Sequence, residues 1–217
     1  MARPSRRAVA AALLERHGRT YAEELRIDVA KGTPSPLFRL LCASVLFSAR
    51  IGSGIATRAA DGLRRAGWTT AQKLADSTWK QRVDVLNDAG YTRYQERTAT
   101  MLGDMADHLL DEYRGDLRRL RDAADRDPAQ ERKLLKRCKG LGDVGVDIFF
   151  REAQAAWEEL RPFADRRALR AAGRLGLGDD ARALARAAPG GDVTRLVAAL
   201  VRADLAGDFD EIRRAAR

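Results

Sequence analysis

LLKRCKGLGDVGVDIFF, residues 134–150, is the stretch on which the reading of this chain turns. Gly140, Gly142 and Gly145 satisfy G-x-G-x-x-G, a pattern that binds dinucleotides when it follows a buried strand and opens a helix. Here the glycines follow ERKLLKRCK (131–139), a charged, helix-forming run without a β-branched residue, so the dinucleotide reading fails on context. A tight turn between two helices fits better. Residues 133–139 end one helix with basic side chains in its last turn, as the helix dipole favours. Gly140 and Gly142 let the backbone take positive φ and approach another molecule closely. A second helix then runs from about Val144 through Trp157. Amides exposed at Gly140, Leu141, Gly142 and the helix start at Gly145 attract an anion such as phosphate, with Lys136, Arg137 and Lys139 beside them. A plain C-cap glycine joining two packed helices uses the same residues, and the segment alone leaves both readings open.

Outward from the turn, helical periodicity dominates. Tyr91, Tyr94, Thr98, Leu102, Met105, Leu109 and Tyr113 recur at steps of three and four, which predicts one face of a long helix over 91–113. LFRLLCASVLF (37–47) is apolar nearly all round and predicts a central, buried helix. Further helices are expected at 5–17, 20–30, 53–66, 70–77, 79–89, 129–138, 144–159, 165–176, 179–187 and 192–205, punctuated by proline and glycine. No run alternates as a strand does. The expected class is all-α.

The 217 residues are 45% hydrophobic, enough for a packed core, and carry a formal net charge of +9. A basic surface attracts polyanions, nucleic acid foremost. Six of the 40 basic residues are lysine and the rest arginine, a skew that an Arg- and Ala-favouring genome explains equally well. Cys42 and Cys138 are too few for a disulfide framework, a four-cysteine zinc site or an iron–sulfur cluster. They are expected as inert thiols in a reducing cytoplasm. The apolar run 8–14 is followed at once by Glu15 and Arg16, which fits an amphipathic helix and not a signal peptide. No segment approaches the length of a membrane span. A cytoplasmic monomer without membrane association, metal or cofactor is expected.

Four segments in order resemble the helix-hairpin-helix base-excision DNA glycosylases of the endonuclease III type. SPLFRLLCASVLFSAR (35–50) resembles the family's long buried helix, and AGYTRYQERTATMLGDMADHLLDEYRGDLRRL (89–120) the stretch ahead of its hairpin. The turn at 140–142 resembles the hairpin itself, and RPFADRRALRAAGRLGL (161–177) the segment that carries the catalytic aspartate. The resemblance spans roughly residues 30–180. It implies a bilobal fold, with a six-helix lobe over 30–158 that contains the motif (134–157). The second lobe would be built from 1–29 and 159–217. It also implies double-stranded DNA as partner and a base flipped out of the duplex. Asp165 would be the catalytic carboxylate, stabilising positive charge on the sugar or activating water; as a residue type it also suits a helix N-cap. Arg50 would stand where the family fills the gap left by the flipped base.

The departures bear on chemistry. Val144 occupies the place of the lysine that forms a Schiff base with the sugar, so lyase activity is not expected. No cysteine follows Cys138, so the iron–sulfur loop is absent, and Arg167 replaces a histidine. Asp143 is placed to cap the second hairpin helix in competition with a phosphate, and Asp147 adds a second carboxylate nearby. Two functions follow from the resemblance: a monofunctional glycosylase using Asp165 and water, or a non-catalytic relative that binds damaged or distorted DNA.

Overall fold

The computed structural model describes residues 4–217, and among them every regular element is a helix, as the all-α reading requires. In chain order these are α1 (Arg6–His17), α2 (Tyr21–Glu24), α3 (Pro34–Ser48), α4 (Ser53–Arg65) and α5 (Ala71–Ala75). Next come α6 (Trp79–Asp88), α7 (Gln95–Tyr113), α8 (Leu117–Ala123), α9 (Pro128–Leu135) and α10 (Asp143–Ala153). Last are α11 (Arg166–Leu175), α12 (Ala181–Ala187), α13 (Val193–Ala206) and α14 (Phe209–Ala215). The chain divides into two compact units, Leu25–Phe149, and Met1–Glu24 with Phe150–Arg217. The second division falls inside α10, where the sequence reading drew it at 158/159.

In the unit Leu25–Phe149 the centre is α3. Leu37, Phe38, Leu40, Leu41, Cys42, Val45 and Leu46 are all buried, which is why this helix is apolar on nearly every face. On α7, Thr98, Leu102, Met105, Leu109 and Tyr113 form the expected buried stripe. The helix starts at Gln95, though, not at Tyr91. Gly90 takes φ +80°, which stops α6 and leaves Tyr91 outside any helix, buried with its hydroxyl 3.4 Å from the Leu46 carbonyl. Mid-helix, Gly103 makes room for the buried Arg82 guanidinium, which an added Cβ would meet at 2.6 Å. Arg82 donates to the carbonyls of Ala99 (2.9 Å) and Ser77 (2.6 Å).

The helix expected over 20–30 is broken in two. Arg26 sits in the left-handed region at φ 56°, and Arg39 donates to the carbonyls of Leu25 (2.7 Å) and Arg26 (3.0 Å). A half-buried arginine thus satisfies the carbonyls that the break exposes. No pattern of residue types marks it in advance.

In the other unit α13 is the core helix, with Leu196, Val197, Ala199, Leu200 and Ala203 fully buried against α1, α11 and α12. Ala10, Ala168, Ala171 and Ala172 are also fully buried. Small side chains bring helix axes close, so here the alanine bias has a packing role. Ser5, Asp165, Asp180 and Asp192 accept backbone hydrogen bonds as N-caps of α1, α11, α12 and α13. Among the described residues, no helix is long and apolar enough to cross a membrane.

Candidate nucleic-acid interface

The turn between α9 and α10 is built on two buried anchors, Cys138 and Leu141, with the Leu141 amide donating to the Cys138 carbonyl at 3.1 Å. The three glycines answer three different demands. Gly140 takes φ +88°, and a Cβ there would meet Met101 Sδ at 3.1 Å and Val45 Cγ1 at 3.2 Å. Gly145 lets α10 close on α3: its Cβ would stand 3.3 Å from Leu141 Cγ and 3.7 Å from Ser48 Cβ. Gly142 is not in the positive-φ region, contrary to the sequence reading. Nothing lies within 4 Å of where its Cβ would be, so that side of the turn is open.

α10 begins immediately after, its first internal bond running from the Val146 amide to the Gly142 carbonyl at 3.0 Å. The amides ahead of Val146 have no carbonyl within their own helix, as at any helix start. Asp143 does not fold back to cap them. Its carboxylate meets Lys136 Nζ at 2.8 Å and stands 3.8 Å from Arg132, and Lys136 holds that carboxyl below the usual carboxylate range. Asp147 pairs with Arg132 at 2.6 Å and Asp104 with Lys139 at 3.0 Å. The hairpin lysines are therefore engaged, but through solvent-exposed pairs that water screens and a phosphate can replace. Val144 is 62% exposed at the helix start. It puts an isopropyl group, with no nucleophilic atom, where the resemblance would call for an amine.

Arg50 lies two residues beyond Ser48, the α3 residue on which Gly145 rests; it is exposed and has no ion-pair partner among the described residues. The unit Leu25–Phe149 thus brings together Lys136, Lys139, the turn Gly140–Leu141–Gly142, Gly145 and the segment carrying Arg50.

Asp165 belongs to the other unit and to a different kind of site. It is 5% exposed and caps α11: Oδ1 accepts from the amides of Arg167 (2.8 Å) and Ala168 (3.1 Å). Oδ2 accepts from Arg151 Nε and Nη2, each at 2.7 Å, a two-point fork between side chains that are both almost wholly buried. Both oxygens are engaged.

Arg151, which sequence reasoning missed, is one of three buried polar residues at the end of α10 and just past it. Glu152 accepts from the amides of Tyr21 (2.9 Å) and Ala22 (2.7 Å) and so holds the start of α2. Gln154 donates to the Phe163 carbonyl (3.0 Å) and accepts from the Phe163 amide (2.9 Å), clipping the loop ahead of Asp165. The available signal was the sequence Arg151-Glu152-x-Gln154 directly after an apolar run, where polar side chains on a buried face must find partners.

Cys42 and Cys138 are free and buried, and burial pushes both thiols up, Cys138 to about 12. Among the described residues no group of three or more His, Cys, Asp or Glu side chains is placed to hold a metal ion.

No protein-family model matches this chain, and no curated protein does. A solved structure matches it: an endonuclease III trapped as a covalent intermediate with DNA, in an estranged-adenine complex. The identity is 19%, the match covers 77% of this chain and 73% of that one, and the TM-score is 0.51. The chain has the endonuclease III-type helical fold.

Proposed function

We propose that this chain binds duplex DNA through the α9–α10 turn, as a helix-hairpin-helix protein of the base-excision type. The turn is the observation that carries this. Gly142 leaves one face open, the first amides of α10 carry no side-chain cap, Lys136 and Lys139 flank them, and Arg50 follows the adjoining helix unpaired. Such amides and the helix dipole favour a phosphate. The matched solved structure, an endonuclease III on DNA, supports the same reading.

Between the two functions that the resemblance implies, the geometry favours binding without excision by Asp165. A catalytic carboxylate needs a free oxygen toward the sugar or a water, whereas Asp165 has both occupied. Hydrolysis by a monofunctional glycosylase is the second reading, favoured by the position of Asp165 at the start of α11, where the family's aspartate also sits. It requires Arg151 to release Oδ2.

The test is fluorescence anisotropy with a labelled duplex across a salt series. Binding is expected to weaken with salt, log K falling against log salt by roughly 0.9 per phosphate neutralised. Lys136→Glu with Lys139→Glu is expected to remove most of the binding, and a flat salt response overturns the proposal. Incubation with duplexes bearing oxidised, alkylated, deaminated or mismatched bases decides the second reading: base release that Asp165→Asn abolishes establishes excision.

A further inference from the structure

The unit formed by Met1–Glu24 with Phe150–Arg217 contains a cleft of about 760 Å3 lined by α1, the end of α11 and α14. Recesses of roughly 300–1,000 Å3 are the size that holds small ligands. Four of its lining side chains are arginines, Arg6, Arg174, Arg213 and Arg217, and Asp179 is the one acid among them.

What marks this cleft is the convergence of these arginines on one recess with a single acid among its lining side chains. Several other arginines of the unit meet carboxylates: Arg16 with Asp208 and Glu211, Arg151 with Asp165, Arg195 with Glu23, Arg202 with Glu24. In the cleft, Arg6 has no ion-pair partner among the described residues. Arg174 has none either; its guanidinium carbon lies over the Phe209 ring, 3.8 Å from the centroid. Arg213 is tied into the wall, donating to the Arg174 carbonyl at 2.6 Å while pairing with Asp210. Stacking on an aromatic ring and tethering to a carbonyl both restrict the fork and so lower the ordering needed to grip a ligand. A concave surface with apolar walls such as Val9 focuses the resulting positive field.

We propose that this cleft binds a small phosphorylated compound, of the size class of a nucleoside diphosphate. Guanidinium forks match phosphate oxygens two at a time, and a group of several arginines calls for a multiply charged anion, not a single carboxylate. A duplex is a convex rod that does not enter a recess of this volume, so the expected ligand is a small anion.

The experiment is isothermal titration of the full chain with pyrophosphate, with ADP and, as a third arm, with a short duplex. Pyrophosphate or ADP is expected to bind at one site, and Arg6→Gln with Arg174→Gln to weaken that binding by about tenfold or more, with duplex affinity unchanged. The hairpin variant Lys136→Glu with Lys139→Glu is expected to leave the small anion's affinity unchanged. Because Arg174 packs on Phe209, Arg6→Gln alone is run beside the pair; Arg6 is exposed and its loss leaves the fold intact. Absence of binding by both small anions overturns the proposal. An equal loss in the hairpin variant overturns it too, since binding would then be general charge attraction. So does loss of duplex binding alone in the cleft variants, which would make the cleft part of the DNA surface.

Discussion

Gly140 and Gly142 stand two residues apart and obey unlike constraints, one conformational and internal, the other facing outward. Gly140→Ala forces a Cβ into a left-handed backbone and against Met101 and Val45. It is expected to lower stability by about 1–3 kcal/mol in urea denaturation. Gly142→Ala meets no atom and is expected to leave stability within about 0.5 kcal/mol while weakening duplex binding, since the methyl group fills the open side of the turn. Asp143 is the opposing residue. Its carboxylate holds Lys136 and faces any phosphate at the helix start, so Asp143→Asn is expected to raise duplex affinity roughly threefold at low salt. The gain should shrink as salt is added. The glycines were legible as a turn from their spacing. The outward position of Gly142 was not, because the sequence assigns positive φ to both glycines and only the packing around Gly140 distinguishes them.

At the scale of elements, α3 and α7 were legible because burial repeats along them with helical period. The break at Arg26 and the three anchors of α10 were not. Arg151 and Asp165 are 14 residues apart in sequence, and Arg151 is one arginine among many until the fold buries it. The pair makes a sharp stability prediction. Arg151→Met leaves a buried carboxylate without its cation and is expected to cost about 3–5 kcal/mol, while adding Asp165→Asn, which keeps an acceptor for the α11 amides, should recover much of that loss. Glu152 adds a pH dependence. Burial pushes its carboxyl up, against the pull of the Ala22 and Tyr21 amides and of Arg151 and Arg202. The folded state therefore holds this proton more tightly than the unfolded state. The group's contribution is fully present below its ordinary pKa of 4.5 and is lost as pH rises through the raised value. Glu152→Gln removes that titration, so the stability of wild type relative to the variant is expected to fall across this window in thermal melts at stepped pH.

At the scale of the whole molecule, an all-α chain was readable from periodicity and from the absence of alternating runs. The endonuclease III type was readable from four short segments in order, although identity to the matched structure is only 19%. Among the described residues, exposed large hydrophobics are single residues on three helices, Trp79, Val144 and Leu205. Isolated apolar residues do not make an association surface, and light scattering is expected to return a monomer of 23.9 kDa. α10 carries a final consequence, for tolerance to insertion and deletion. Its start follows the hairpin turn, and its last turn carries Arg151 and Glu152, with Gln154 just past its end and one uninterrupted helix between. Substitutions at the half-buried positions 147 and 148 in the middle of this helix change a few contacts each. A single inserted residue there turns the residues that follow it by about 100° about the helix axis, which breaks the buried register of Val146, Phe149 and Phe150. Among variants of this chain, length in 143–154 should be held constant even where the residues themselves drift.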